Sequence, residues 1–226
     1  MSSSSPVLRP PWLPYVGPFA IFVLFLALGD KLGLGAWEFP FRVLALTLSL
    51  WFLSRHVIDL RAPNWLSSSL VGIGVFVIWV APDVLWPTYR QHWLFQNSIM
   101  GTITSSLPEG FHMDPMVLVF RSIRAIILVP IIEELFWRAW LMRWLINPDF
   151  EKIPLGAYQA SSFVVTALLF ASEHGPYWEV GLVAGIIYNA WMIRTRSLGD
   201  CILAHAVTNA ALSAYVVFCG KWEYWL

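Results

Sequence analysis

The sequence predicts an all-α membrane protein, a polytopic helix bundle of seven or eight transmembrane helices. Three observations lead there. Of 226 residues, 58% are hydrophobic and only 12% charged, about half the charged share of a soluble globular domain, which is near 25%. About seven apolar stretches approach the roughly 17 to 25 residues that a membrane-spanning helix requires. Most of the fourteen tryptophans stand near the ends of those stretches, where an aromatic belt meets the membrane–water interface.

Basic and acidic residues balance to a formal net charge of zero, which removes the electrostatic footprint of a nucleic-acid binder. Met1 to Pro14 is rich in Ser and Pro, carries a single Arg9, and reads as a flexible leader without the short apolar core and small-residue cleavage site of a signal peptide. The remainder, residues 15–226, reads as a single membrane domain with no repeat of fixed period. Cys201 and Cys219 stand 18 positions apart in one apolar stretch, where a helix separates them by about 27 Å, too far for a disulfide.

In chain order, the first segment runs from about Tyr15 to Leu34 and the second from about Phe41 to Ile58, where Asp59 to Asn64 with Pro63 ends it. The third runs from Trp65 to Leu85. The polar connection Thr88 to Asp114 then carries Arg90, His92, Asn97, Glu109 and His112, and its amphipathic part suits a membrane surface. From Pro115 to Ile146 the apolar pattern hardly pauses. A helix of that length measures about 48 Å against a hydrocarbon core of roughly 30 Å, so it must tilt, project or kink, and Pro130 is the natural kink point. After the loop Asn147 to Gly156 come segments at about Tyr158 to His174, Trp178 to Ile193 and Leu198 to Cys219, with Lys221 to Trp225 as an interfacial anchor. With the N-terminus inside, Arg9, Arg55, Arg61, Arg143, Lys152, Arg194 and Arg196 fall on the cytoplasmic side, and Lys31, Arg42, Arg90 and Lys221 on the other.

Three polar groups are stranded within apolar runs. Glu133, Glu134 and Arg138 each cost roughly 2.5 to 3.5 kcal/mol at bilayer depth on insertion scales. Positions four apart share a helix face, so Glu134 and Arg138 read as an ion pair, while Glu133 points about 100° away without that partner. A carboxylate so placed suits a general base; the competing reading is a charge cluster that fixes helix packing. The second group is His174, at the end of Phe170 to Pro176, and the third is His205 with Asn209, four apart on one face with no charge nearby. Singly, a histidine at a segment end and a His/Asn face read as packing or helix-to-helix hydrogen bonding. Together they supply a water-activating hydrolase with a carboxylate base, a proton-shuttling imidazole and two donors for an oxyanion. No Gly-x-Ser-x-Gly or His-Glu-x-x-His is present, so no covalent serine nucleophile is indicated. Glu133, His174 and His205 also match a two-histidine, one-carboxylate zinc set, with Glu134 as base. A proton- or ion-coupled transporter would likewise hold Glu, Arg and His at depth, but the repeated halves of many transporters are not visible. A membrane scaffold is the remaining class.

In this order and spacing, Glu133-Glu134-x-x-x-Arg138, Phe170-x-x-x-His174 and His205-x-x-x-Asn209 resemble the three motifs of the CAAX prenyl protease and bacteriocin-processing (ABI) family of intramembrane proteases. The resemblance covers about Pro115 to Asn209. It implies a multi-helix membrane endopeptidase acting on a peptide or membrane-protein substrate. Glu133 and His174 would activate water, His205 and Asn209 would support the oxyanion, and Glu134 and Arg138 would orient and neutralise the site. It also implies a glutamate-dependent mechanism without an obligatory cofactor or metal, and members commonly show eight membrane helices. Asn147 to Glu151, Leu182 to Asn189, Arg194 to Leu198 and the Trp-rich tail resemble the bacterial branch that accompanies exosortase sorting systems, which implies a place in the bacterial cytoplasmic membrane and a link to such a system. The segment bounds set His174 about 24 Å along its helix but His205 only about 10 Å along its own. Sharing one site then requires helix ends deeper than drawn or a water-filled cavity that thins the barrier.

Overall fold

The computed structural model describes residues 10–225. Among these are seven long helices: α1 (Leu13–Leu28), α2 (Gly35–Ser54), α3 (Trp65–Leu85), α4 (Pro115–Trp144), α5 (Ala160–Ser172), α6 (Trp178–Thr195) and α7 (Leu198–Cys219). They correspond one for one to the seven expected segments, and α3 and α7 have the expected bounds. The connection from residue 86 to 114 holds only short turns, at Tyr89–Gln91 and Glu109–Phe111, and one isolated extended bridge between Asn97 and Gly101. Most of the leader expected over Met1 to Pro14 lies outside the described residues; its last two, Leu13 and Pro14, already belong to α1.

Four helices, α2, α3, α4 and α7, are long and apolar enough to cross a bilayer, while α1 and α5 are apolar but shorter. The chain is an integral membrane protein. Leu24, Phe52, Leu66, Leu70, Val119, Leu168 and Phe218 point outward, as side chains facing lipid would. In that solvent, outward apolar surface gives helices no reason to associate, so packing and hydrogen bonds hold the bundle together.

Both devices join α3 to α7. Gly72 has no room for a side chain: a Cβ there would lie 2.3 Å from the Ala204 carbonyl oxygen. One turn earlier, the buried Asp200 carboxylate accepts from the Asn64 backbone N–H (3.0 Å), Asn64 Nδ2 (3.0 Å) and Ser68 Oγ (2.9 Å). The same residue lies in the first turn of α7, where its own N–H donates to the Ser197 cap. A closed carboxylate like this is tolerable inside a membrane protein because each donor answers it.

The connections sort to two ends. At one end Asn64 meets Asp200, the Ser197 hydroxyl donates to the Arg61 carbonyl, and Arg143 Nη1 donates to the Ile153 carbonyl (3.1 Å). At the other, Arg90 Nη1 reaches the Pro176 carbonyl, Trp178 Nε1 the Leu94 carbonyl, and the Ser106 N–H the Trp225 carbonyl. The helices therefore alternate in direction. Arg61, Arg143, Lys152 and Arg196 gather at one end and Arg90 and Lys221 at the other, the same grouping that the basic residues suggested.

The long fourth region is one helix. Asp114 caps it, accepting from the N–H groups of Met116 (2.9 Å) and Val117 (3.2 Å), with Pro115 in its first turn. Pro130 was expected to kink it. Just before it the chain passes through a wide turn at Arg124–Leu128, in which the Val129 N–H bonds the Arg124 carbonyl five residues back, and a second wide turn at Leu135–Leu141 follows the glutamate pair.

Candidate active site

A cavity of about 430 Å³ opens among the helices. Glu133 of α4, His174 just beyond α5, and His205 and Asn209 of α7 all line it. Three separate stretches of the chain thus converge where the spacing required. The depth difficulty resolves through α5, which begins at Ala160 and ends at Ser172. At about 20 Å it is shorter than the hydrocarbon core is thick, so it cannot reach both faces of the barrier. Phe170 joins the levels, its ring centroid 4.7 Å from that of His174 and 6.2 Å from that of His205.

Glu133 is 7% exposed, and its Oε2 has no hydrogen-bond partner among the described residues. Glu134 turns away from the cavity. Its Oε1 accepts from Arg138 Nη1 (3.1 Å) and from His205 Nδ1 (2.9 Å), and neither Glu134 nor Arg138 is accessible. The expected ion pair is present, but the expectation that no charge stands near His205 fails, because Glu134 approaches from a different helix. Arg138 Nε also donates to Asn189 Oδ1 (3.2 Å), and its guanidinium lies over Phe170 (4.5 Å) and Tyr188 (5.4 Å).

The histidine tautomers follow from their partners. His174 Nδ1 meets the Phe170 carbonyl at 2.8 Å; a carbonyl only accepts, so Nδ1 carries the proton and Nε2 keeps its lone pair. Trp79 packs against that ring at 5.1 Å, and a Cβ on Gly181 would come within 3.1 Å of it. Arg90 secures the segment beyond His174: it pairs with Asp83 (2.7 Å) and Glu179 (2.8 Å), donates to the Pro176 carbonyl and lies 4.0 Å from the Tyr177 ring centroid. His205 Nδ1 likewise donates, to Glu134, and the ring stacks on Tyr188 at 5.1 Å. The Tyr188 hydroxyl is tied to Thr208 (2.7 Å), which donates to the Gly72 carbonyl.

Asn209 is anchored by a consequence of Pro130. In the wide turn the Val129 N–H bonds Arg124 rather than Ala125, and Pro130, five residues after Ala125, has no N–H to offer. Asn209 Nδ2 fills the gap, donating to the Ala125 carbonyl at 2.8 Å. One N–H of the amide remains for another acceptor.

Glu133, His174 and His205 share the cavity but are not grouped as a metal ion needs: among the described residues no three His, Cys, Asp or Glu side chains are. Sequence reading passed over Trp79, Arg124, Glu173, Tyr188 and Asn189. The first four line the cavity and the last holds Arg138. Asn189 and Tyr188 sit side by side in an apolar run, a signal of the same kind as His205 with Asn209.

Residues 115–211, from the start of α4 to the middle of α7, match the family model described as type II CAAX prenyl endopeptidase Rce1-like. Over that stretch the chain is similar to the CAAX prenyl endopeptidase family. The Rce1-like stretch contains every residue of the three motifs. No curated protein and no solved structure matches the chain. Helices α1 to α3 lie outside the Rce1-like stretch, yet they supply Phe22, Leu26 and Trp79 to the cavity wall.

Proposed function

We propose that the protein is an intramembrane endopeptidase that hydrolyses a peptide bond of a membrane-associated protein or peptide with water as nucleophile. The observation that carries this reading is the convergence of Glu133, His174, His205 and Asn209 on one cavity, with a Glu133 oxygen left unpaired. A water between Glu133 and the lone pair of His174 Nε2 gives a proton to Glu133 as its oxygen adds to the scissile carbonyl carbon. The oxyanion so formed accepts from the free N–H of Asn209 and from Nε2–H of protonated His205, whose charge Glu134 offsets. Collapse breaks the C–N bond, and the proton on Glu133 passes to the departing amine, leaving a carboxylic acid and an amine. Glu134, Arg138 and Asn189 touch no reacting atom and act through His205 and the helices they hold in place.

In this reading no metal is obligatory. Its setting is the bacterial cytoplasmic membrane, and a sorting system of the exosortase kind is the proposed source of its substrate.

The test uses purified full-length protein in lipid nanodiscs with a quenched fluorescent peptide library and excess chelator. Cleavage should persist under chelation and disappear in Glu133→Gln and His174→Ala, each shown to be folded by its melting curve. Undiminished cleavage in Glu133→Gln would sink the assignment. Activity lost on chelation and restored by zinc would replace the water-activating carboxylate with a metal centre.

A further inference from the structure

A second pocket, of about 140 Å³, lies at the opposite end of α4 from Asp114 and shares no lining residue with the central cavity. Trp12, just ahead of α1, Trp140 and Trp144 in the last turns of α4, and Phe150 in the loop that follows supply its rings, and Asp149 and Glu151 supply its only charges. Its neighbourhood is basic, for this is the end where Arg61, Arg143, Lys152 and Arg196 gather, yet none of these lines the pocket. Arg143 is held by the Ala139 and Ile153 carbonyls and lies 5.1 Å from the Phe150 ring centroid. Lys152 pairs with Asp149 at 2.5 Å while its side chain stays 79% exposed. Glu151 has neither ion pair nor hydrogen bond among the described residues. A tryptophan that serves only as an interfacial anchor turns its N–H toward water. Trp140 instead buries its N–H without a partner among the described residues, and its ring lies nearly parallel to that of Trp144, with centroids 5.7 Å apart and planes at 28°.

We infer that this pocket binds the ammonium group of a zwitterionic phospholipid headgroup. The inference stands apart from the peptidase reading. Aromatic faces attract cations, quaternary ammonium groups most characteristically, and desolvation strengthens the attraction. Glu151, a carboxylate without a partner, adds the same preference. Water takes about 30 Å³ per molecule in the liquid, so the pocket holds the equivalent of four or five waters, room for one substituted ammonium group and too little for a stretch of peptide. Position selects a lipid. Trp144 ends α4 and Trp12 precedes α1, the level at which chain leaves hydrocarbon for headgroups, and both are open to the outside, 42% and 46% exposed. A zwitterionic headgroup carries its phosphate a short link from the ammonium, and that phosphate is an anion for Lys152 and an acceptor for the Trp140 N–H. A headgroup with phosphate and no ammonium would meet Asp149 and Glu151 instead. An occupied pocket would also join the start of α1 to the end of α4, two helices already in contact through the stacked rings of Phe19 and Phe136 (3.8 Å), so the bound lipid should stabilise the bundle.

The probes are short-chain phospholipids with choline, ethanolamine or glycerol headgroups, and tetramethylammonium chloride. Full-length protein in detergent micelles is incubated with each, retained lipid is counted by native mass spectrometry, and the melting temperature is measured in parallel. The choline lipid should be retained about tenfold or more over the glycerol lipid, with the ethanolamine lipid between them, and tetramethylammonium should displace it. The choline lipid should also raise the melting temperature. Trp12→Leu and Glu151→Gln, both at exposed positions, should each lower retention of the choline lipid about three- to tenfold and leave that of the glycerol lipid unchanged; rings that serve only as interfacial anchors would weaken retention of all three lipids alike. Equal retention of the three lipids, a preference for the glycerol headgroup, or a choline preference that survives both substitutions would each overturn the inference. A melting temperature raised by tetramethylammonium without retention of the choline lipid would give the pocket to a free amine and refute the lipid.

Discussion

Arg138→Met tests the buried network behind the cavity wall. The substitution keeps an unbranched apolar side chain and removes two contacts, Nη1 to Glu134 Oε1 (3.1 Å) and Nε to Asn189 Oδ1 (3.2 Å). Glu134 is fully buried and keeps only His205 Nδ1 at 2.9 Å. Breaking a buried pair by deleting one partner costs about 3–5 kcal/mol, because the remaining charge stays in a medium that cannot solvate it. Making that site neutral should remove most of the penalty. The double variant Glu134→Gln/Arg138→Met should therefore lie about 2–3 kcal/mol above Arg138→Met alone, keeping the smaller losses at Asn189 and His205. The measurement is unfolding free energy in mixed micelles by detergent titration, with all four members of the cycle compared. If Arg138→Met lies within about 1 kcal/mol of the parent, or if the two substitutions simply add, the pair does not carry the electrostatic weight assigned to it.

Two further substitutions read other parts of the bundle. Gly181→Ala sets a Cβ 3.1 Å from His174 Cγ and Nδ1, so the ring must move by a few tenths of an ångström. Since a 1 Å misplacement can cost about a hundredfold, kcat should fall about three- to tenfold with little change in melting temperature; an unchanged kcat would mean that the position of His174 is not critical. Asp200→Ala strips the acceptor from Asn64 N–H, Asn64 Nδ2 and Ser68 Oγ and should destabilise the protein by about 2–4 kcal/mol. A chemical melt of that variant superimposable on the parent's would show that α3 and α7 are held by packing alone.

Hydropathy and loop chemistry made the seven helices legible, because each begins or ends at a cap, a proline or a charged turn that lipid would not accept. Face arithmetic within one helix also anticipated that Glu134 pairs with Arg138 while Glu133 stands apart. What it left open is contact between helices. Glu134 against His205, Asn189 against Arg138 and Asp200 against Asn64 join residues 51 to 136 positions apart, and no periodicity within a segment contains that information. The depth of His174 was misjudged for a related reason. The segment drawn from Tyr158 to His174 took in two residues beyond the helix at each end, Tyr158-Gln159 and Glu173-His174, and so overstated its length.

Arg124 was hidden for a geometric reason that also links the two ends of the cavity. At 100° per residue, nine positions turn an ideal α-helix through 900°, which leaves Arg124 and Glu133 on opposite faces. The wide turn at Arg124–Leu128 absorbs one residue, so the nine positions act as eight and the two side chains fall about 80° apart. Both can then line one cavity, as they do. Pro130 fits this irregularity, since a residue without an N–H leaves an open carbonyl upstream whichever helical pattern is followed. In the wide turn that carbonyl belongs to Ala125, and Asn209 answers it at 2.8 Å. The break in α4 thus brings Arg124 and Glu133 to one cavity and fixes, on another helix, an amide that lines the same cavity.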